Sequence, residues 1–152
     1  MPYQIHQVDW GSQGNPIRQI RERVFVFELN IPKSVEFDSR DNNASHFVAY
    51  TDQGEAVATA RLCEDGLLGR IAVLPEHRNR GVYKEMLSYI FNNAANCGLS
   101  AIRINCLLDE VERFKKKGFS PCGCVFMEAG IPRQRLECPV ARCTSSPFTM
   151  VH

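Results

Sequence analysis

The chain has 152 residues, enough for one ordinary domain and too few for a second of normal size. A chain of this length buries about 68–70% of its unfolded surface, so it needs neither disulfides nor a metal to fold. An apolar fraction of 44% with 23% charged residues excludes disorder, and a net charge of +1 excludes a general affinity for nucleic acid or other polyanions. Any anion site must come from local clustering of basic side chains.

Residues 3–8 read as a short strand. Asn15-Pro16 then opens a helix, because Asn accepts from the orphan N–H groups of a first turn and Pro suits that turn. Ile17, Ile20, Val24 and Phe27 recur at three- and four-residue steps, giving a buried stripe to about Leu29, and Pro32 ends it. Polar residues 36–43 form a loop. His46–Tyr50 and Ala56–Leu62 read as a hairpin around Asp52-Gln53-Gly54, and Leu67–Leu74 as a third strand. Helical spacing runs through Val82, Met86, Leu87, Ile90 and Phe91, with Gly98 as the stop. Ala101–Leu107 is a buried strand, Asp109–Lys117 a short helix and Phe119–Met127 another strand. Arg133–Cys138 adds an edge strand, and Cys143–His152 a loose tail. The resulting order, β-α-β-β-β-α-β-α-β, is a mixed α/β sheet in a single domain over residues 1–140, with 141–152 as a C-terminal tail.

Seven cysteines (Cys63, Cys97, Cys106, Cys122, Cys124, Cys138 and Cys143) are an odd number and include no Cys-x-x-Cys. A disulfide framework or four-ligand zinc site needs regular pairing, so the expectation is reduced thiols in a reducing cytoplasm and no metal. The start, MPYQIHQVDW, lacks an apolar signal core, and no run of about 18 apolar residues occurs, so no membrane partner is expected.

The chemistry concentrates in Ile71-Ala72-Val73-Leu74-Pro75-Glu76-His77-Arg78-Asn79-Arg80-Gly81-Val82-Tyr83-Lys84, where a buried strand runs into a basic turn that opens a long helix. Free N–H groups and the helix dipole make such a start an anion site. Gly81 lets the backbone approach closely, and Arg78, Arg80 and Lys84 add charge. Charge-assisted hydrogen bonds contribute about 1.5–3 kcal/mol each, so three or four suffice to hold a pyrophosphate. A solvated basic turn capping a structural helix is the competing reading.

This segment resembles the phosphate loop of the acyl-CoA N-acyltransferase (GNAT) superfamily, Arg/Gln-x-x-Gly-x-Gly/Ala, here Arg78-Asn79-Arg80-Gly81-Val82-Tyr83. The ElaA/YjcF type within it is matched further by Val24-Phe25-Val26-Phe27-Glu28, Glu36-Phe37-Asp38-Ser39-Arg40-Asp41, His46–Tyr50, Ala60-Arg61-Leu62, Gly69–Val73, Phe114–Phe119 and Glu128–Pro132. The match covers about residues 17–133.

The resemblance implies a mostly antiparallel sheet, splayed between its fourth and fifth strands, flanked by helices and receiving acetyl-CoA or another acyl-CoA as co-substrate. Backbone groups of Ile71, Ala72 and Val73 would pair with the pantetheine amides, and the N–H groups of Arg80, Gly81, Val82, Tyr83 and Lys84 would hold the pyrophosphate, with Arg78 and Asn79 beside it. Asn105 would contact pantetheine, and Arg113, with Lys115–Lys117, the nucleotide end. A small amine would attack the thioester in a ternary complex. Val73 N–H would polarise the carbonyl, and Glu28 and His46 lead the candidates for base or acceptor contact, with Asp38 and Asp41 behind them. Such domains also pair through edge strands or C-terminal segments, which leaves a homodimer as an option.

Four positions depart from the pattern. Tyr83 replaces a small loop residue, Phe114 stands where a tyrosine acid is usual, Arg133 follows Glu-Ala-Gly-Ile-Pro in place of His, and Leu29 replaces Gln. Two readings follow: an N-acyltransferase, or a CoA-binding regulatory domain that keeps the fold and has lost catalysis. A redox or metal role for Cys122 and Cys124 is a third.

Overall fold

The computed structural model of the chain describes residues 3–78, 81–145, 148 and 152. Strands β1 (Tyr3–Val8), β2 (Ser45–Thr51), β3 (Ala56–Leu62) and β4 (Leu68–Val73) form an antiparallel sheet in that order. A second sheet contains β5 (Ala101–Leu107), β6 (Ser120–Pro121), β7 (Phe126–Glu128) and β8 (Ile131–Pro139), with β8 paired antiparallel to the other three. The helices are α1 (Trp10–Gln13), α2 (Asn15–Arg21), α3 (Lys33–Glu36), α4 (Val82–Asn96) and α5 (Val111–Lys115). This is the mixed, mostly antiparallel, splayed α/β sheet that the sequence leads one to expect.

Helix α4 buries Val82, Met86, Leu87, Ile90, Phe91 and Ala94. These three- and four-residue steps put one apolar stripe against the sheet. Its partners in the core include Phe47, Ala49, Ala58, Leu68, Ile71, Val73, Ile102 and Ile104.

Four expectations need correction. After Arg21 the chain winds as a π-helix over Glu22–Glu28, seen in the bond from Leu29 N–H to the carbonyl of Val24. A π turn takes in more residues than an α turn, so the inward stripe shifts: Phe25 is fully buried and Phe27 is 70% exposed. The strand expected over 119–127 splits into β6 and β7: Cys122 N–H still bonds to the carbonyl of Arg135, and Gly123 at φ 84° then turns the chain. The strand at 133–138 is longer, and it lies between β5 and β6 instead of at an edge. The tail is not loose where it is described. Phe148 is buried against Phe91, Phe114 and Phe119, with ring centroids 5.2–6.0 Å apart, and the side chain of His152 is 4% exposed.

Strands β4 and β5 run parallel and, among the described residues, meet in one bridge, Leu67 to Arg103. Beyond it they part. The cause lies in β4: between the pairs Thr59–Ala72 and Arg61–Gly69, β3 advances by two residues and β4 by three, with Arg70 at φ 51°. An extra residue in one strand bends it and ends regular pairing. A non-glycine residue in the left-handed region costs about 1–3 kcal/mol, and the surrounding bonds of Arg70 hold it there.

Candidate functional site

Leu74 N–H donates to the carbonyl of Val57, while the carbonyl of Val73 accepts from Nε of Arg78 at 2.9 Å. Val73 therefore turns its backbone polar groups away from β3, toward the side where β4 parts from β5. Ile71, Ala72 and Val73 are fully buried, so this edge is screened from bulk water.

Past β4, Pro75–His77 form one 3₁₀ turn and α4 begins at Val82. Gly81 precedes the helix at φ 82°, and among the described residues no atom beyond its chain neighbours lies within 4 Å of where a Cβ would stand, so its left-handed backbone leaves that side of the helix N-terminus open. Asn79 and Arg80 fall outside the described residues. Lys84 is exposed and Val82 is buried in the core. The ring of Tyr83 packs against the core; burial pushes its hydroxyl's pKa up, with Arg78 pulling it back. Arg78 is committed elsewhere: Nη1 and Nη2 each lie 2.7 Å from an oxygen of Glu28. That bond holds the Glu28 carboxyl below the usual carboxylate range. Glu28 and Arg78, given separate tasks by the sequence, thus form one bidentate pair.

A cavity of about 230 Å³ is walled by Phe25, Leu29 and Ile31 on one side and Ile104–Leu107, Glu110 and Phe114 on the other, with Ile131, Arg133 and His152 completing it. The wall is apolar with a few polar groups, the character of a small-molecule site. Asn105 lies on it and accepts from Nε of Arg135 at 3.1 Å. Phe114 is fully buried against Phe119 and Phe148, and has no proton to give. Burial, with Glu110 nearby, pushes the Cys106 thiol up to about 12, which keeps it protonated and unreactive. Arg113 pairs with Glu110 at 3.2 Å and lies over the Phe114 ring.

The acidic residues 36, 38 and 41 are structural partners in a buried ionic cluster. Arg21, 1% exposed, reaches Glu36 at 2.6 Å and Asp41 at 2.8 Å. Arg61 reaches Asp38 at 2.6 Å and Asp41 at 3.0 Å. Arg70 bonds to Asp38 at 3.1 Å and to the carbonyls of Val35 and Glu36. Three guanidiniums meet three carboxylates, so the cluster is neutral. Burial, aided by the charge of Arg61, draws Arg70 down to about 10, which leaves it charged at neutral pH. Burial pushes Glu36 and Asp38 up, but the groups facing them outweigh it and hold both below the usual range.

His46 is fully buried beneath this cluster. Its Nε2 lies 2.9 Å from the carbonyl of Asp41 and its ring stacks on Trp10 at 4.6 Å. It is not part of the cavity wall. Burial pulls its pKa down, so the ring is neutral.

The sequence reading missed Phe25, Arg133 and His152 as cavity residues. Phe25 was hidden by the π-helical shift. Arg133 stands out in the sequence only as a departure from pattern, and strict alternation along β8 puts it on the face opposite the buried Leu136 and Cys138. His152 carried no signal, because nothing in an unpatterned tail says where it docks.

Comparison with known proteins agrees with this architecture. The family model "Acetyltransferase (GNAT) domain" matches residues 15–139. The uncharacterised N-acetyltransferase YjcF of Bacillus subtilis (strain 168) is 33% identical over 120 residues, 77% of this chain and 86% of its own. Among solved structures, a putative N-acetyltransferase of Lactobacillus plantarum aligns with TM-score 0.76 at 22% identity, over 92% of this chain and 99% of its own. Escherichia coli ElaA aligns with TM-score 0.71 at 21% identity, over 90% and 99%. A GNAT family acetyltransferase of Elizabethkingia anophelis, solved with acetyl-CoA bound, gives 0.63 at 17%, over 91% and 98%. The solved structures establish the shared fold; the family model and the Bacillus relative carry the assignment, and by them the chain belongs to the GNAT acetyltransferase family.

Proposed function

We propose that the protein transfers an acetyl or other short acyl group from coenzyme A to a small amine, with both substrates bound at once. The observation that carries this reading is the parting of β4 from β5, with β5 lining the apolar cavity through Ile104–Leu107 and α4 beginning shortly after β4. A pyrophosphate would fit there, because among the described residues nothing beyond its chain neighbours lies within 4 Å of a Cβ at Gly81 and the first-turn N–H groups of a 15-residue helix have no partners within it. Ile71 and Val73 would hold the pantetheine, with Asn105 across the gap. Val73 N–H would polarise the thioester carbonyl, and the cavity would take the amine's apolar body while keeping water away from the thioester. Bound acyl-CoA supplies an activated acyl group with a good leaving thiolate.

A reducing cytoplasm suits the seven unpaired thiols. No helix among the described residues is long and apolar enough to cross a membrane. The alternative, a domain that binds coenzyme A without turnover, is favoured by one observation: Phe114 puts a ring with no donor on the cavity wall.

Calorimetry with coenzyme A, run beside thiol release from acetyl-CoA over a panel of primary amines, separates the two. Binding with turnover supports acyl transfer, and binding without it supports the alternative. Gly81→Asp places a carboxylate where the phosphates would sit. It is expected to reduce coenzyme A affinity at least a hundredfold while leaving the circular dichroism spectrum unchanged; unaltered affinity would remove the phosphate site from α4.

A further inference from the structure

With Glu28 paired to Arg78 and His46 buried away from the cavity, neither candidate base is free to take a proton there. His152 is. Its side chain is 4% exposed, lies on the cavity wall and meets Phe25 edge-on at 4.8 Å. Its Nε2 is 2.5 Å from Oε1 of Glu36. The carboxylate of Glu36 can only accept, so Nε2 carries the hydrogen and Nδ1 of the neutral ring keeps its lone pair. Nδ1 is buried and has no hydrogen-bond partner among the described residues; Oε1 of Glu128 lies 4.0 Å from it.

The backbone is fixed as firmly. The main-chain oxygen of residue 152 accepts from the N–H and from Nη1 of Arg70, both at 3.1 Å. It lies against Gly69, where any Cβ would stand 2.6 Å from it, so only glycine admits this contact. The left-handed turn at Arg70 that parts β4 from β5 is thus the same feature that seats His152 beside the cavity.

The groups facing the ring are Glu36 from α3, Arg70 from β4, Glu128 from β7 and Arg133 from β8. Burial first, then Arg70 and Arg133, hold its pKa below 6.5 against the pull of Glu36. The ring is therefore neutral and basic at neutral pH, with one nitrogen unused.

We infer that His152 is the general base of the acyl transfer and that Glu36 is its positioning residue. This rests on the proposed acyl-transfer reading. The amine sheds one proton to solvent on becoming neutral. As its lone pair forms the C–N bond to the thioester carbonyl carbon, Nδ1 of His152 takes the second proton, and the C–S bond breaks with its electron pair leaving on sulfur. The imidazolium then returns that proton to the thiolate. Amide and free thiol result, with one proton released overall.

His152→Gln is expected to lower kcat at least a hundredfold on acetyl-CoA with any amine of the panel that turns over, while KM for acetyl-CoA changes less than threefold. The acid limb of the kcat/KM profile, with its midpoint below 6.5 in the wild type, is expected to vanish. Added imidazole restores part of the activity of His152→Ala. Gly69→Ala, which displaces residue 152 without touching the imidazole, lowers kcat in the same direction. Glu36→Gln removes the charge that raises the ring's pKa, and so moves the acid limb to lower pH. If any of these variants fails to fold, ¹⁵N-histidine NMR of the wild type reads the same claim: His152 must be the Nε2–H tautomer and unprotonated at pH 7. The inference is overturned by a His152→Gln enzyme that keeps kcat within threefold or retains the acid limb, or by the Nδ1–H tautomer. Wild-type protein that turns over no amine would end the acyl-transfer reading and this one together; turnover surviving in His152→Gln would end this one alone.

Discussion

The two ends of the gap beside β4 are built by opposite means. At the α4 end, Val73, Arg78, Gly81 and Tyr83 lie within eleven consecutive residues, and the groups that face outward are solvated: the Arg78–Glu28 pair is 24% and 36% exposed. At the other end Glu36, Arg70, Arg133 and His152 come from four distant segments, and each side chain is at least 95% buried. The first end is a local device, a strand, a turn and a helix start, and its charges work in high dielectric. The second exists only once the sheets have docked, and there each charge depends on its partners. Exposed pairs contribute about 0.2–1 kcal/mol, whereas removing one member of a buried pair costs about 3–5 kcal/mol because the other is left uncompensated.

That contrast can be broken most forcefully at Arg21. Arg21→Met fills similar volume but strips Glu36 and Asp41 of a shared guanidinium. The expected loss is about 3–5 kcal/mol, a fall of roughly 10 °C in melting temperature, read by thermal and urea unfolding. A loss under about 1 kcal/mol would mean that the cluster is no more interdependent than the exposed pair.

The next effect is pH dependence, and its sign is the same for every group concerned. His46 and His152 have folded pKa values below their ordinary 6.5, so the unfolded chain takes up protons first and stability falls as pH drops through 6.5. Glu36 and Asp38, also depressed from 4.5 and 3.8, extend the loss into the acid range. Melting temperature is expected to be level from pH 7 to 8 and to decline from about 6.5 downward, before carboxylates in general titrate. His152→Gln should flatten the first part of that decline. A profile level down to pH 5 would show that neither ring is held neutral.

The sequence made the local end legible and left the docked end dark. Gly81 after a basic turn and before a 3.6-residue stripe is a pattern with a mechanism, and α4 begins there. The hairpin β2–β3 and strand β5 were readable because their apolar runs are bounded by turn residues. What was hidden required knowledge of distant partners. Glu36, Arg61 and Arg70 stood in recognisable motifs, yet only tertiary contact shows that they neutralise one another. Phe25 and Phe27 exchanged places because a π turn is not marked by composition. Residues 148 and 152 have no period to reveal them; an aromatic cluster and a carboxylate elsewhere determine their places.

The smallest expected effect sharpens the comparison from the exposed side. Glu28→Gln cancels one charge of the pair with Arg78 and leaves the side chain's size unchanged. Since both members are partly solvated, stability should change by less than about 1 kcal/mol. Its consequence for binding should be a gain, where His152→Gln is expected to leave KM for acetyl-CoA within threefold. A guanidinium no longer held bidentate by a carboxylate is free to leave the carbonyl of Val73 and turn toward a phosphate, so coenzyme A affinity should rise a few-fold, and more at low salt than at high salt because the new contact is ionic. Calorimetry at two ionic strengths reads this directly. Should affinity fall instead, Glu28 is holding Arg78 in its binding position, and the pair belongs to the phosphate site as a unit rather than restraining it.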